Sequence, residues 1–249
     1  MTVVIVTGAS SGIGRATAIR LAARGDTVVL AARRDAELTA VTDEITAAGG
    51  QAHPVRTDVT DPEQAEELVA RALAVSGRID VLINNAGVGG DASVLAPDEQ
   101  VRAMIEVNLM APVRLMRAVV PIMREQRSGS IVNIGSVAGE IGIGGVYSAT
   151  KFALRGMNDS VRRELTGTGI GVTLIEPGFV ATELTAHRSG LPGPEIVAAA
   201  VERALSRPRR RMVVPAKYRA AILFANAFPS ITDRLYAGRA ATKRPTAAD

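Results

Sequence analysis

The chain has 249 residues, of which 47% are hydrophobic and 22% are charged, a composition typical of a soluble globular protein and not of a disordered one. It contains no cysteine, which excludes disulfides, thiolate metal sites and thiol redox chemistry. The net charge of +4 is uneven, because residues 179–249 hold twelve basic and only five acidic side chains.

Short apolar runs alternate with amphipathic stretches along the chain. The runs predict strands at residues 3–7, 27–32, 51–59, 79–84, 130–135, 170–176 and 211–216, of which the third has the weakest pattern. The stretches between them carry apolar residues three and four apart, which predicts helices. This alternation predicts an α/β fold with one mostly parallel, doubly wound sheet and helices on both faces. Ligands of such sheets bind at the carboxyl ends of the strands, so functional residues are expected just after strands.

The length and the N-terminal sequence bear on domain organisation and location. A chain of this size can form one open α/β domain, so we expect a single domain over residues 1–249. Met1 leads directly into a β-branched run without a basic leader, and the longest apolar stretch, residues 220–228, is too short to span a bilayer. We therefore expect a cytoplasmic protein without a transmembrane segment.

A glycine-rich turn, TGASSGIG, follows the first predicted strand and contains Gly8, Gly12 and Gly14. Glycines allow a tight turn and close backbone approach to a pyrophosphate, while the N-terminus of the next helix offers unpaired N–H groups to an anion. The turn therefore predicts a phosphate-binding site. On glycine count alone, an ordinary strand-to-helix connection remains the alternative.

The sequence YSATK places Tyr147 and Lys151 four residues apart in a stretch with a helical apolar period. Residues i and i+4 share a helix face, so both side chains should point the same way. A nearby ammonium group favours the phenolate, so we expect Lys151 to lower the pKa of Tyr147 toward the range useful for acid–base catalysis.

Asn108 lies four residues before Pro112. Proline has no N–H, so the carbonyl of Asn108 lacks its helical partner and is open to a water molecule. A polar residue that merely marks a helix kink is the alternative interpretation.

Taken together, these motifs resemble the short-chain dehydrogenase/reductase family, whose nucleotide loop reads T-G-x-x-x-G-x-G. The other matching landmarks are NNAG at residues 84–87, Asn108, Ser136, Tyr147 with Lys151, and the pair Pro177 and Gly178. The resemblance covers residues 2 to about 183. It implies a Rossmann-like sheet of about seven strands, a nicotinamide cofactor and an oxidoreductase that forms a homodimer or homotetramer.

The resemblance implies a catalytic set of Asn108, Ser136, Tyr147 and Lys151. Tyr147 would exchange a proton with the substrate oxygen, and Ser136 would hydrogen-bond that oxygen. Lys151 would hold the nicotinamide ribose, and Asn108 would hold a water that links Lys151 to solvent. Ser136 and Tyr147 are closer in sequence than is usual in the family, which leaves the shape of the substrate wall open.

The resemblance also implies a cofactor site. Its residues are Gly8, Ser10, Ser11, Gly12, Ile13, Gly14, Arg33, Asp58, Val59, Asn85, Ala86, Gly87, Tyr147, Lys151, Pro177, Gly178, Val180 and Thr182. Asp58 would contact the adenine ring, and Thr182 would contact the nicotinamide or phosphate end; each has helix capping as its alternative role.

The residues after the second strand predict which nicotinamide cofactor is used. Ala32 stands where members of the family that prefer NAD carry Asp, and Arg33 follows it. A guanidinium presents planar donors suited to a 2′-phosphate, so we expect NADP(H). Ser11 stands where many NADP-dependent members carry a basic residue, and plain surface charges at Arg33 and Arg34 are the alternative.

The C-terminal third is expected to form a substrate lid at about residues 179–192 and a basic, apolar, helical tail at about 207–249. The lid lacks a cluster of charges, which favours an apolar ketone, aldehyde or secondary alcohol. The tail is expected to cover the core, with a dimer contact or a membrane surface as alternatives. Within it, Arg207–Met212 is expected to be a solvated loop, with attraction of an anionic ligand or a membrane surface as the alternative. The absence of interleaved aromatic residues argues against nucleic acid binding.

The function predicted from the sequence is therefore an NADP(H)-dependent carbonyl reductase or alcohol dehydrogenase. A non-catalytic NADP(H)-binding regulator or scaffold is the alternative from another class, and epimerisation or dehydration is a third. The only histidines are His53 and His187, and their separation predicts no metal site.

Overall fold

The computed structural model describes residues 2–90, 93–186 and 188–237. His187 and the end of the expected tail, residues 238–249, lie outside the described residues. The described residues contain one sheet of seven parallel strands in the order β3-β2-β1-β4-β5-β6-β7. The strands are β1 Val3–Thr7, β2 Thr27–Ala32, β3 Gln51–Arg56, β4 Val81–Asn84, β5 Gly129–Ile134, β6 Ile170–Pro177 and β7 Arg211–Val214.

Helices connect the strands and continue into the tail. They are α1 Gly12–Ala23, α2 Asp35–Ala47, α3 Pro62–Ser76, α4 Asp98–Ile105, α5 Ala111–Gln126, α6 Ala138–Ile141, α7 Gly145–Glu164, α8 Glu195–Ser206, α9 Tyr218–Ala227 and α10 Pro229–Tyr236. A π-helical segment, Glu106–Met110, joins α4 to α5, and a 3₁₀ turn, Glu183–Thr185, lies between β6 and α8. The predicted fold, including the helical tail as far as it is described, is confirmed.

Alternate residues of the central strands supply two apolar cores, one on each face of the sheet. Val4 and Val6 of β1 pack into one cluster with α1, whereas Val3 and Ile5 pack into the other with α3 and α5. Strands buried on both faces are apolar throughout, which is why β1, β2 and β4 were predictable as short apolar runs. The edge strand β3 is mostly exposed and contains Pro54, which explains its weaker pattern.

The strand order reverses between β1 and β4, and this reversal fixes the place of the site. Successive strands run outward from β1 on one side and from β4 on the other, so the helices after β1 and β4 cover opposite faces. A crevice therefore opens at the carboxyl ends of these two strands, where ligands of such sheets bind. The glycine-rich turn follows β1, and the NNAG landmark spans the end of β4.

The prediction of a solvated loop over Arg207–Met212 is wrong in its second half. Arg211 and Met212 begin β7, and Arg210 donates to Asp159 at 2.8 Å. Arg211 donates to the buried Glu140 at 2.7 Å. A buried carboxylate requires a partner charge, and the sheet supplies it from β7. None of the described helices combines the length and the apolar character required to cross a bilayer.

Candidate active site

A cavity of about 680 Å³ opens at the carboxyl ends of the strands, within the volume range of small-molecule sites. Most residues expected at the site line it: Gly8, Ser10, Ser11, Gly12, Ile13, Arg33, Asp58, Val59, Asn85, Ala86, Gly87, Ser136, Tyr147, Lys151, Pro177, Gly178, Val180 and Thr182. Gly14 and Asn108 do not line the cavity but contact residues that do. The structure therefore brings to one place groups that are up to 174 residues apart.

The glycine-rich turn is held against the loop that follows β4. A Cβ atom added at Gly8, whose φ is +64°, would lie 2.9 Å from Asn85 Nδ2 and 3.0 Å from Ala86 Cα. At Gly14 an added Cβ would lie 2.1 Å from the Gly8 carbonyl oxygen. The side chain of Ser11, the N-cap of α1, makes no capping hydrogen bond. The first N–H groups of α1 are thus available to an anion, as a dinucleotide pyrophosphate site requires.

Thr7, which the sequence reasoning missed, joins the two loops. Its hydroxyl donates to the Ile83 carbonyl at 3.2 Å and accepts from the backbone N–H groups of Asn85 and Ala86 at 3.0 Å. Asn85 Nδ2 in turn donates to the Thr7 carbonyl at 2.9 Å. A polar residue that ends an otherwise apolar strand was the available sequence signal. These bonds fix the crevice between β1 and β4.

Tyr147 and Lys151 lie one turn apart on α7 and face the cavity together. Lys151 Nζ is 5.8 Å from the centre of the Tyr147 ring and donates to the Ile134 carbonyl at 3.0 Å. Ser136, after the end of β5, lines the cavity with them and accepts a hydrogen bond from the Ala138 N–H at 3.1 Å. The shared face expected from the i, i+4 spacing is present, and the short loop between Ser136 and Tyr147 does not separate them.

The pKa of Tyr147 moves in the direction opposite to the one expected from the sequence. Burial raises the pKa of the phenol above its ordinary value, and the neighbouring Ser136 hydroxyl opposes this only in part. Burial also lowers the pKa of Lys151 to about 8, because the side chain is only 5% exposed. Desolvation disfavours both charged forms and outweighs the attraction between phenolate and ammonium. Tyr147 is therefore protonated at neutral pH and able to donate.

Asn108 lies where the helix widens. Pro112 cannot donate to the Asn108 carbonyl, and the backbone is π-helical over Glu106–Met110. The Asn108 side chain accepts from the Val88 N–H and donates to the Val88 carbonyl, both at 2.9 Å. It also donates to Thr150 at 3.1 Å. Asn108 therefore holds the loop after β4 against α7.

Asn108 and Lys151 approach the same point of that loop. From the position of a Cβ atom added at Gly87, the distance is 3.3 Å to Asn108 Oδ1 and 3.6 Å to Lys151 Nζ. Asn108 Oδ1 and Lys151 Nζ therefore both lie beside Gly87, and the water relay between them stays a prediction.

A chain of buried asparagines anchors α7 to the sheet and was also missed. Asn84 of β4 donates to Asn133 of β5 at 2.8 Å, and Asn133 donates to Asn158 of α7 at 3.0 Å. Asn158 lies seven residues after Lys151, on the same face of the helix. An asparagine in the middle of an apolar strand was the available signal. This network sets the position of the helix that carries Tyr147.

Arg34 has a role that the sequence did not reveal. Its guanidinium pairs with Glu183 at 3.0 Å and donates to the Ser10 hydroxyl at 3.3 Å, so it links the glycine-rich turn to the lid. Arg33 lines the same end of the cavity but forms no ion pair with a residue that the structure describes. Of the two arginines, Arg33 is the one available to a ligand.

Asp58 lines the cavity and does not cap a helix. Its carboxylate accepts from the Thr60 N–H and hydroxyl at 2.9 and 2.7 Å, whereas Asp61 is the N-cap of α3. Gln64 accepts from the Asp58 N–H at 2.9 Å. These bonds hold Asp58 beside Val59 at the end of the cavity that also contains Arg33.

The lid residues also line the cavity. Thr182 caps the 3₁₀ turn, so its alternative role as an N-cap is present, but it also lines the cavity and lies 3.2 Å from a Cβ atom added at Gly12. The Arg188 guanidinium stacks 3.8 Å from the centre of the Phe179 ring. Leu184 adds an apolar side chain to the lining.

A buried carboxyl pair lies behind the Ser136 loop. Glu176 is fully buried, and its Cγ is 3.4 Å from a Cβ atom added at Gly135. Its Oε2 is 3.2 Å from Arg211 Nε but forms no hydrogen bond with it. Burial and, next, the nearby Glu140 carboxylate raise the pKa of Glu176 to about 9, and the positive charges of Arg211 and Arg155 offset this only in part. Glu176 therefore holds a proton at neutral pH.

We expect Glu176 to make the free energy of unfolding fall as the pH rises. The folded pKa lies above the unfolded value of 4.5, so the contribution is complete below 4.5 and is lost as the pH rises toward 9. Between about pH 6 and pH 8, the free energy of unfolding of the wild type should fall by on the order of 2 kcal/mol because of Glu176, and Glu176→Gln should not show this fall. Urea unfolding at both pH values measures this. The exposed control Glu67→Gln should follow the wild type; equal pH dependence in Glu176→Gln would show that Glu176 is ionised.

Among the described ranges, His, Asp and Glu side chains form no group of three that could hold a metal ion. His53 lies on the exposed edge strand β3. Tyr147 and Lys151 on α7 and Ser136 after β5 line the cavity, whereas Arg33 and Asp58 follow β2 and β3 on the other side of the strand-order reversal.

Comparison with known proteins gives concordant matches. The model of the short chain dehydrogenase family matches residues 2–190. An uncharacterized oxidoreductase of Myxococcus xanthus is 43% identical over 185 residues, covering 73% of each chain. A 3-oxoacyl-(acyl-carrier-protein) reductase of Synechocystis sp. is 41% identical over 194 residues, covering 76% of this chain and 78% of the relative. A solved short chain dehydrogenase/reductase from Burkholderia phymatum in complex with NAD has a TM-score of 0.87 at 28% identity, covering 93% of this chain and 95% of that chain.

Proposed function

The chain belongs to the short-chain dehydrogenase family of oxidoreductases, and we propose that it transfers a hydride between NADP(H) and an apolar carbonyl compound or secondary alcohol. The observation that carries this proposal is that Ser136, Tyr147 and the buried Lys151 line one cavity together, with Lys151 Nζ 5.8 Å from the centre of the Tyr147 ring. A protein that only binds a nucleotide has no use for a proton donor held in this way. The arrangement therefore favours an enzyme over a regulator or scaffold.

When bound, the nicotinamide cofactor supplies the hydride. Tyr147 would then donate its phenolic proton to the substrate oxygen, and Ser136 would hydrogen-bond that oxygen as negative charge develops on it. In the oxidative direction Tyr147 would accept the proton. Lys151 would stabilise the phenolate once the proton has left, and a water on the Asn108 side would return the proton from solvent.

The glycine-rich turn fits a dinucleotide. The N-terminus of α1 lacks a side-chain cap, and the close contacts around Gly8 and Gly14 leave no room for a side chain at either position. Gly8, Gly12 and the first N–H groups of α1 would hold the pyrophosphate. Asp58 and Val59 would flank the adenine end, while Asn85, Gly87, Lys151 and Thr182 would hold the nicotinamide half.

The lining of the cavity supports an apolar substrate. Near Ser136 and Tyr147 the lining includes Val137, Ile143, Phe179 and Leu184. A carbonyl reduction is also consistent with the name of the Synechocystis relative, a reductase of 3-oxoacyl groups. The direct test is NADPH consumption by purified protein against a panel of apolar ketones and aldehydes. Turnover of at least one compound is expected; bound NADPH without turnover of any would favour the regulator.

The choice of NADP(H) is supported by Ala32 and Arg33. A carboxylate at residue 32 would repel a 2′-phosphate, and alanine does not. Arg33 lines the cavity and has no ion-pair partner among the described residues, so its guanidinium can bind a phosphate without giving up an existing bond. The Burkholderia phymatum relative was solved in complex with NAD, so the two chains are expected to differ at the positions of Ala32 and Arg33.

Arg33→Ala should raise the KM for NADPH by about tenfold or more, because a charge-assisted contact to the 2′-phosphate is lost, and should leave the KM for NADH within about twofold. Initial rates with each cofactor measure the effect. Arg34→Ala is the matched control, since it removes a neighbouring arginine that is already paired with Glu183. Equal changes for NADPH and NADH in Arg33→Ala would contradict the assignment.

A further inference from the structure

The tail helices expose an apolar ridge that nothing in the described structure covers. The ridge consists of Leu223, Phe224, Phe228, Ile231 and Leu235, whose exposed fractions are 71%, 45%, 52%, 46% and 56%. Phe224 and Phe228 join the two helices, with ring centres 5.2 Å apart. Only Ile222 of α9 is buried, and no residue of α10 is. Five large apolar side chains exposed between residues 223 and 235 indicate an interaction site.

The ridge lies on the outward face of the helices. Tyr218 and Ile222, one turn apart, pack inward against Val137 and Val213. Leu223 and Phe224 lie on the opposite side of α9. In α10, Ile231 and Leu235 are also one turn apart and share a face. The helices therefore present an apolar stripe to the exterior while a narrow inner stripe holds α9 on the fold.

Basic side chains border the ridge. Lys217 and Arg219 are the sequence neighbours of the inward-facing Tyr218, so they project to the two flanks of the outward face. In α10, Arg234 lies three residues after Ile231 and is next to the ridge. Asp233 is two residues from both Ile231 and Leu235 and points to the other side. Lys217, Arg219 and Arg234 make no ion pair with a described residue.

The charge of this segment selects the partner. Residues 207–237 contain seven basic side chains and one acidic side chain. Arg210 and Arg211 are engaged with Asp159 and Glu140. Arg207 and Arg209 come before β7, whereas α9 follows it, so the positive charges beside the ridge are those of Lys217, Arg219 and Arg234. A two-fold contact between copies of this chain would bring the same positive segments together, and like charges at an interface are unfavourable. An apolar stripe bordered by Lys and Arg instead fits an anionic lipid surface.

We propose that the outward face of α9 and α10 docks on an anionic membrane surface, with the ridge inserted among the lipid headgroups and Lys217, Arg219 and Arg234 at the phosphate level. The inward face of the same helix is next to the cavity, because the Tyr218 ring packs against Gly178, where an added Cβ would lie 2.1 Å from it. The docking itself does not depend on the proposed hydride transfer, so vesicle binding and turnover can fail separately.

Sedimentation of the full chain with phosphatidylcholine vesicles, with and without about 30% phosphatidylserine, tests the proposal. Binding is expected only to the anionic vesicles and should weaken as salt is raised. Lys217→Gln/Arg219→Gln/Arg234→Gln should weaken it about a hundredfold. Arg71→Gln/Arg102→Gln/Arg124→Gln removes the same charge from other exposed sites and should weaken it far less. Equal effects of the two triple variants would overturn the proposal, as would no binding to anionic vesicles.

The ridge is tested separately. Phe224→Ser/Phe228→Ser should weaken vesicle binding about tenfold or more, because two inserted rings are lost. Val94→Ser/Leu95→Ser, at side chains that are 91% and 86% exposed elsewhere, should bind as the wild type does. Circular dichroism melting checks that each variant is folded. If the ridge variant instead keeps full vesicle binding and converts a dimer to a monomer in sedimentation velocity, the ridge is a contact between copies and the proposal is wrong.

Discussion

Replacing Tyr147 by phenylalanine is expected to lower kcat for carbonyl reduction by about two to four orders of magnitude. The substitution removes only the hydroxyl, so the ring still fills its place beside Lys151 and Ser136. The substrate oxygen would then have to take its proton from water. Because the group acts only as the reaction proceeds, the dissociation constant for NADPH should stay within about threefold of the wild type.

The pH dependence of the reduction should carry the signature of this donor. Burial raises the pKa of Tyr147 above its ordinary value of 10.0, so the protonated donor is present throughout the neutral range. The rate of reduction should therefore not fall on account of Tyr147 until the pH exceeds 10.0. The pKa of Lys151, about 8, lies within the pH range of the assay. A change in the rate of reduction near that pH should therefore be assigned to Lys151.

Tyr218→Phe is the matched control, because it removes a hydroxyl from the tyrosine that packs against Gly178 without lining the cavity. Its kcat should stay within about twofold of the wild type. Rates are measured as NADPH consumption, and cofactor affinity by the change in NADPH fluorescence. If Tyr147→Phe turns over as fast as Tyr218→Phe, Tyr147 is not the proton donor and the proposed chemistry is wrong.

The order of the strands and helices could be predicted from the sequence because the hydrophobic periodicity of each element is a local property. All seven strands lie almost wholly within the predicted runs, mainly because central strands buried on both faces are continuous apolar segments. At β7 the predicted run overlapped the loop predicted over Arg207–Met212. Arg211 belongs to the strand although it reads as part of a basic loop, because its partners Glu140 and Glu176 come from distant segments. Those carboxylates lie next to Arg211 only in the folded sheet.

The positions of the residues at the site could be predicted from the sequence, but the directions of their pKa shifts could not. The spacing of Tyr147 and Lys151 places them on one face of α7, and this follows from helix geometry alone. The direction of their pKa shifts depends on how deeply each side chain is buried, and burial is set by packing against β5, the loop after β4 and the lid. Likewise the bond from Arg34 to Glu183 joins residues 149 apart, so no local pattern could have separated its role from that of Arg33.

Gly14→Ala is expected to weaken NADPH binding by about tenfold or more and to lower the free energy of unfolding by about 1–3 kcal/mol. The new Cβ would lie 2.1 Å from the Gly8 carbonyl oxygen and 2.5 Å from Asn85 Nδ2. The nearest obstruction is backbone, so relief requires the glycine-rich turn to move away from α1. That movement displaces the N–H groups proposed to hold the pyrophosphate and strains the bonds between Thr7 and Asn85.

Gly156→Ala is the matched control, since Gly156 also lies in a helix but has no heavy atom within 4 Å of an added Cβ. It should raise the free energy of unfolding by about 0.4–1 kcal/mol, because alanine loses less backbone entropy in a helix, and leave NADPH binding unchanged. Urea unfolding and NADPH titration of both variants separate the two outcomes. Tight NADPH binding by Gly14→Ala would mean that the turn tolerates a side chain, and the pyrophosphate site would then have to lie elsewhere in the crevice.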